Sequence, residues 1–258
     1  MITSVQNPKI KWVRELQTSS RTRCEEQAIV VEGVRLTEEA LASGWPARLV
    51  LYTEDLDERG QAALKGFVTG GATSESVTAQ VMRSASDTET PQGILAVLAW
   101  QALPLPKKPD FLFIPDSVRD PGNLGTMLRT AVGAGVQAVL LPPGTTDVLA
   151  PKVVRAGMGA HFHLPVLPMT WEEIGARLES LAVYLAEVDS GMPHTQADFR
   201  QALALIVGGE AEGAGQQAQR LATSRVHISM PGGGESLNAA VAAAILMFEV
   251  VRQRSAKK

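Results

Sequence analysis

A single cysteine, Cys24, stands in this chain of 258 residues, so no disulfide can form within it and a reducing compartment is expected. Long apolar runs are missing too. The most apolar, Ala239 to Phe248, falls well short of the about 20 residues that cross a bilayer, so no membrane role is expected. The opening MITSVQNPKIKW has no apolar core of the kind a signal peptide carries, and a cytoplasmic location is expected. Charge of one sign is scarce. Twenty-four Lys and Arg against 27 Asp and Glu leave a formal charge of −3, which argues against a uniformly basic coat without excluding a local basic patch. Histidine numbers only four, and His161 and His163, two apart in a strand-like run without further ligands, read as structural; no metal is assigned. What remains, 45% hydrophobic and 20% charged, is an ordinary globular composition able to bury one large core or two modest ones.

Residues 1–100 read as small alternating α/β units, an independent first domain. Strands are expected at Ala28 to Gly33, Arg48 to Tyr52 and Gly93 to Leu98, helices at Arg35 to Ala42 and Glu58 to Lys65, with the pattern repeating at Val77 to Met82. Ahead of them Lys9, Lys11, Arg14, Arg21 and Arg23 stand against one acid, Glu15, with Trp12 among them. That is either a solvated amphipathic helix or one that touches RNA. Residues 101–109, QALPLPKKP, hold three prolines and two lysines and read as an extended connector.

Across residues 110–258 the alternation strengthens. Strands are expected at Phe111 to Ile114, Val136 to Leu141, Phe162 to Leu164, Val183 to Ala186, Leu203 to Val207 and Val226 to Ile228. Helices are expected at Leu124 to Ala134, Pro151 to Met158, Trp171 to Ser180 and Gln216 to Ala222, and a long last helix opens near Ser236. The fold class is therefore α/β, a mostly parallel sheet with helices on both faces, which takes ligands at the carboxyl ends of its strands. Along the last helix Val241, Ile245, Phe248 and Val251 form an apolar face that must be covered by the domain or by a second copy.

Three glycine-bearing loops fall at those strand ends. In the first, Asp116 to Gly125, Asn123 is placed to cap the following helix and Arg129 lies about one and a half turns inside it. The second, Val207 to Gly213, combines Gly208 and Gly209, which let a ligand approach the backbone, with Glu210, whose carboxylate could take a cation, a ribose hydroxyl or an arginine. The third runs from Met230 through Gly232-Gly233-Gly234 to Ser236 and gathers backbone donors at a helix start. Each is also explained by a capped helix or a tight turn. A nicotinamide-dependent oxidoreductase is disfavoured, because Gly122-x-x-Gly125 does not match Gly-x-Gly-x-x-Gly.

Taken in order, the segments resemble the three motifs of the SpoU, or TrmH, family of RNA ribose 2′-O-methyltransferases, of the SPOUT superfamily. The likeness rests on Asp120-Pro121-x-Asn123-x-Gly125 with Arg129-Thr130-Ala131, on Gly208-x-Glu210 with Gly213, and on Ile228-x-Met230 with Ser236-Leu237-Asn238. Asn7-Pro8-x-Ile10-Lys11 and Glu32-Gly33-x-Arg35-Leu36 are similar to the family's substrate-binding extension. The resemblance implies a trefoil knot, the tail after Ile228 threading a loop, and a homodimer through the C-terminal helix. It implies S-adenosylmethionine held by Gly208, Gly209, Ile228, Met230 and Leu237, and catalysis by Arg129 with Asn123, Glu210, Ser236 and Asn238. Family accounts sometimes make this arginine a general base. Arginine is a poor base at neutral pH, and gripping an RNA phosphate while stabilising a developing alkoxide suits it better. Ribosomal RNA is the favoured substrate over transfer RNA, with a non-catalytic RNA-binding or ribosome-assembly factor as the alternative. Glu235 before Ser236, the pair Gly233-Gly234, and Ala211 depart from the family pattern.

Overall fold

The computed structural model describes residues 1–210 and 213–256; Ala211 and Glu212, read above as part of the second loop, lie outside the described residues. The chain begins α1 (Pro8–Thr18), α2 (Ser20–Glu26), β1 (Ala28–Glu32), α3 (Val34–Ala42), β2 (Ala47–Tyr52), α4 (Glu58–Thr69), β3 (Thr73–Ser76), α5 (Ala79–Ala85) and β4 (Ile94–Ala99). It continues β5 (Phe111–Asp116), α6 (Pro121–Gly133), β6 (Ala138–Leu141), α7 (Pro151–Gly157), β7 (Val166–Pro168), α8 (Trp171–Leu178) and β8 (Ala182–Glu187). The remainder is β9 (Met192–Pro193), β10 (Leu203–Gly208), α9 (Gln216–Leu221), β11 (Ser224–His227) and α10 (Ala239–Ser255). Packing divides the chain into two compact units, Met1–Gln101 with Asp147–Phe162, and Ala102–Thr146 with His163–Lys258. Among the described residues the strands form one sheet of four and one of seven.

In the first unit the order is β1-β4-β2-β3, with β4 antiparallel to both neighbours and β2 parallel to β3. Alternation along each strand separates two sets of side chains. Val30, Leu49, Leu51, Leu95 and Val97 form one core with Ile10, Val13 and Leu16 of α1 and Val81, Met82 and Ala85 of α5. Ile29, Val31, Val50 and Ile94, the alternate set, are as deeply buried. The segment 77–82, where the α/β pattern is expected to repeat, holds a single bridge and the start of a helix. Val77 makes a lone bridge to Ile2, and Thr78 then caps α5 by accepting from Val81 N. Arg23, one of the basic residues considered for RNA, points inward: it is 5% exposed, donates to Asp147 through Nε (2.9 Å) and a terminal nitrogen (2.6 Å), and donates to the Leu16 carbonyl. Lys9 pairs with Glu75 and exposed Arg21 with Glu25, which leaves Lys11 and Arg14 as the other exposed basic residues of the set.

A strand expected at Phe162 to Leu164 is not formed. Gly159, at φ +90°, turns the chain into a single 3-10 turn, Ala160–Phe162, which lodges Phe162 edge-on against Trp45 with centroids 5.0 Å apart. His161 is 1% exposed there, its Nε2 lying 2.8 Å from the Val148 carbonyl and its ring edge-on to Trp100. Tertiary packing has overridden the local apolar run.

The second unit holds the order β7-β6-β5-β10-β8-β11-β9, every pair parallel. Leu112, Ile114, Leu140, Leu185 and Ile206 pack with Ile174 and Leu178 of α8 and Ala218 of α9. Phe111 and Phe113 alternate with them, and α10 packs on β10 and α6. Helices thus cover both faces. The last helix inserts Ala243, Leu246, Met247 and Val250, all nearly inaccessible. Of the face that must be covered by the domain or by a second copy, the domain leaves Val241 48% and Phe248 50% exposed, with Val132 of α6, another exposed apolar residue, in the same unit. Among the described residues no helix is long and apolar enough to cross a membrane.

Candidate functional site

Two helix starts differ from the sequence reading, and both differences release a side chain. Asp120 rather than Asn123 caps α6, its Oδ1 accepting from Asn123 N at 2.7 Å, with Pro121 at the first helical position, where its missing N–H costs nothing. Asn238 rather than Ser236 caps α10, its Oδ1 accepting from Ala240 N (2.9 Å) and Val241 N (3.3 Å). The Asn123 side chain is thereby free to reach across. It donates through Nδ2 to Glu210 Oε1 and accepts through Oδ1 from Asn238 Nδ2 at 3.1 Å. Both ends fix the amide orientations, since helix N–H groups only donate at one end and a carboxylate accepts at the other. Three residues from three separate loops become one hydrogen-bonded chain.

Beside this chain, at the carboxyl ends of β8, β10 and β11, lies a cavity of about 300 Å³. Gly208, Gly209, Glu210, Ile228, Met230, Ser236 and Leu237 line it, as the sequence reading had them gather. Glu187, Val188 and Leu246 line it as well, and were not singled out. The glycines are required by close approach. A Cβ on Gly208 would come within 2.3 Å of Ala214 N, and one on Gly209 within 2.3 Å of Ser117 O. Buried Asp116, also missed in the sequence, joins the first loop to the second: its Oδ2 accepts from Gly215 N at 2.6 Å and its Oδ1 from Ser117 Oγ at 2.9 Å. Its signal was its place at the end of β5, the strand that feeds the first loop.

Arg129 is not brought into the cavity wall. Because α6 opens at Pro121, it lies more than two turns into the helix rather than one and a half, and its guanidinium is exposed with no hydrogen bond or ion pair among the described residues. One helical turn further on the same side stands exposed Val132. Residues 231–238 are exposed throughout, Ser236 and Glu235 included.

The lining suits a nucleoside with a polar tail. Val207, Ile228, Leu237 and Leu246 offer apolar surface to a flat base, while the strand-end peptide groups at Gly208 and Gly209 can exchange hydrogen bonds with its edge. The residues present fit an adenosyl cofactor, with a carboxylate-and-amide cluster at the cavity's rim.

Comparison with known proteins agrees. Residues 110–248 match the SpoU rRNA Methylase family, and residues 7–96 match the MRM3-like substrate binding domain. The chain is 36% identical to the 23S rRNA (guanosine(2553)-2′-O)-methyltransferase RlmP of Bacillus subtilis, over 96% of this chain and 98% of that protein. It is 31% identical to a 23S rRNA (uridine(2479)-2′-O)-methyltransferase of Streptomyces viridochromogenes, over 92% of this chain and 86% of that one. The crystal structure of an AdoMet-bound rRNA methyltransferase from Sinorhizobium meliloti matches with a TM-score of 0.87 at 28% identity, covering 97% of both chains.

Proposed function

The chain belongs to the SpoU rRNA methylase family, and on that premise we propose that it transfers the methyl group of S-adenosylmethionine to a ribose 2′-hydroxyl of ribosomal RNA. The observation that carries this reading is the meeting of the cavity with the Asn123–Glu210–Asn238 chain at one edge of the parallel sheet. Gly208, Gly209, Ile228, Met230 and Leu237 would hold the cofactor, which supplies a methyl group activated on a sulfonium sulfur. A ribose hydroxyl is a poor nucleophile, so orientation is most of the catalytic task. Asn123 occupies Glu210 Oε1 and leaves Oε2 to accept a hydrogen bond from the attacking hydroxyl. Ser236, on the cavity wall, orients the ribose, and Asn238 keeps Asn123 in register. Arg129 binds the RNA phosphate and stabilises the developing alkoxide.

The same reading includes a homodimer. Support comes from the open apolar face of Val132, Val241 and Phe248, which water would otherwise cover, and from Arg129 one turn from Val132. A second copy seated there completes the site by surrounding that arginine. The reading also includes a trefoil knot, the tail after Ile228 passing through a loop, which the return of α10 against α6 and β10 supports. The reading keeps residues 1–100 as the RNA-recruiting domain, 101–109 as the connector and 110–258 as the methyltransferase domain, although Asp147–Phe162 of the last packs in the first unit, and the exposed Lys11 and Arg14 give the first of these a basic edge. The lone exposed Cys24 suits the reducing cytoplasm.

Methyl transfer from labelled S-adenosylmethionine to ribosomal RNA and, separately, to transfer RNA tests the reading, with the product ribose located by mass spectrometry. Ribosomal RNA is expected to accept the label. Absence of S-adenosylmethionine binding by calorimetry would return the chain to the class of non-catalytic RNA-binding proteins.

A further inference from the structure

At one level of the second sheet four strands bring four residues into line. Gly208 of β10 pairs with Asp116 of β5, Glu187 of β8 pairs with His227 of β11, and Glu187 lies two residues beyond the Leu185–Ile206 pair that joins β8 to β10. Gly208 has no side chain, and Asp116 is fully engaged by Gly215 N and Ser117 Oγ. Glu210, the other carboxylate on the cavity wall, is engaged by Asn123. Glu187 differs from both. It lines the cavity, it is half-buried, and among the described residues its carboxylate has no hydrogen bond or ion pair. Removing a carboxylate from water beside Val207, Ile228 and Leu246 is unfavourable unless donors arrive to meet it. Among the described residues the fold supplies none, which leaves both oxygens free for donors on a ligand that displaces water from the cavity.

Resting on the reading of this cavity as the S-adenosylmethionine site, we propose that Glu187 recognises the ribose of the adenosyl group, its two oxygens accepting from the vicinal 2′- and 3′-hydroxyls. A vicinal diol presents two adjacent donors, which a carboxylate meets with both oxygens at once. The base needs no such partner, because apolar walls and strand-end peptide groups serve it. The competing assignment, pairing of Glu187 with the positive charge of the methionine tail, predicts a different ligand dependence and is separated by the same experiment.

The test is calorimetric titration of the full chain and of its Glu187→Gln and Glu187→Ala variants with three probes: S-adenosylmethionine, uncharged 5′-methylthioadenosine, and the 2′-deoxy form of the latter. Wild type is expected to bind 5′-methylthioadenosine about 10- to 100-fold more tightly than its deoxy form, the range for a hydrogen bond to a charged group. Both variants are expected to lose that preference and to weaken on all ligands carrying the diol. Unchanged urea midpoints would establish that the variants are folded. Variants that keep the deoxy penalty, or that weaken on S-adenosylmethionine alone, overturn the proposal and leave the cofactor site standing. A folded wild type that binds none of the three probes overturns the cofactor reading itself, and Glu187's role with it.

Discussion

Acid should loosen the first unit through one buried ring. Burial pushes the His161 imidazole from 6.5 down to about 4, against the opposing pull of the Val148 carbonyl and the Asp147 carboxylate. The ring can stay neutral by donating from Nε2 to Val148 O, whereas a proton on Nδ1 would find no acceptor among the described residues. The unfolded chain therefore takes up a proton near pH 6.5 that the folded chain refuses until about pH 4. Stability from this group is complete above pH 6.5 and is lost as pH falls toward 4. At about 1.4 kcal/mol per pH unit the full loss is about 3.5 kcal/mol, most of it gone by pH 4.5. Trp45 and Trp100, edge to face with centroids 5.3 Å apart and neighbours of the 160–162 turn, report the transition by fluorescence. Urea unfolding of wild type and His161→Gln between pH 7.5 and 4.5 isolates the term, because carboxylate titrations are common to both. The wild-type advantage should shrink by about 2 to 3 kcal/mol on acidification. Parallel curves, within about 0.5 kcal/mol, would refute the burial argument, as would a His161 resonance titrating near pH 6.5.

Further consequences concern the site. Asn238→Ala removes the cap of α10 and is expected to cost about 1 kcal/mol in thermal unfolding. Asn238→Asp keeps the cap but loses the donor to Asn123, so its stability should match wild type while methyl transfer falls at least about tenfold, the scale of one lost orienting hydrogen bond. Arg129→Ala should bind S-adenosylmethionine normally by calorimetry yet lose more than about a hundredfold in methyl transfer; near-normal turnover would remove its proposed role. Aspartate at both Val241 and Phe248 should yield a folded monomer by sedimentation, since both side chains are about half exposed on a single chain, and a dimer unchanged by the pair would show that another face is used.

The sheet was legible in sequence because its strands are fully buried runs: Phe111 to Ile114 and Leu203 to Val207 are apolar at every position, as a parallel strand covered on both faces must be. Helix starts were less so. Asn123 and Ser236 are both competent caps by residue type, and what decides against them is the neighbour three residues earlier in one case and two later in the other. Asp120-Pro121 pairs a good cap with a proline at the first position, and that stronger local signal was readable. The roll of lining residues was incomplete for another reason. Glu187 lies outside the glycine-rich loops, at the end of a plain strand, and is joined to the site only by the register of β8 against β10 and β11. Register is a tertiary property. Arg23 shows the same limit in the first unit, for nothing in a cluster of basic residues reveals which one will turn inward to Asp147.

The position of Arg129 follows from the same geometry that assembles the rest. A residue more than two turns along α6 cannot accompany Asn123, which sits in the first turn, into a cavity at the helix start, since each turn carries the chain about 5.4 Å away. Asn123 is drawn to Glu210 and Asn238, so α6 is anchored at its amino end and its exposed side, Arg129 and Val132, is directed elsewhere. Among the described residues that guanidinium has no partner and Val132, one turn on, is exposed, an arrangement that the proposed pairing with a second copy would cover. The proposed dimer would then complete the site, and mixing an Arg129→Ala chain with a chain defective in Glu210 should restore methyl transfer in heterodimers if the arginine serves the partner's cavity. Persistent inactivity of a verified heterodimer would confine Arg129 to its own chain.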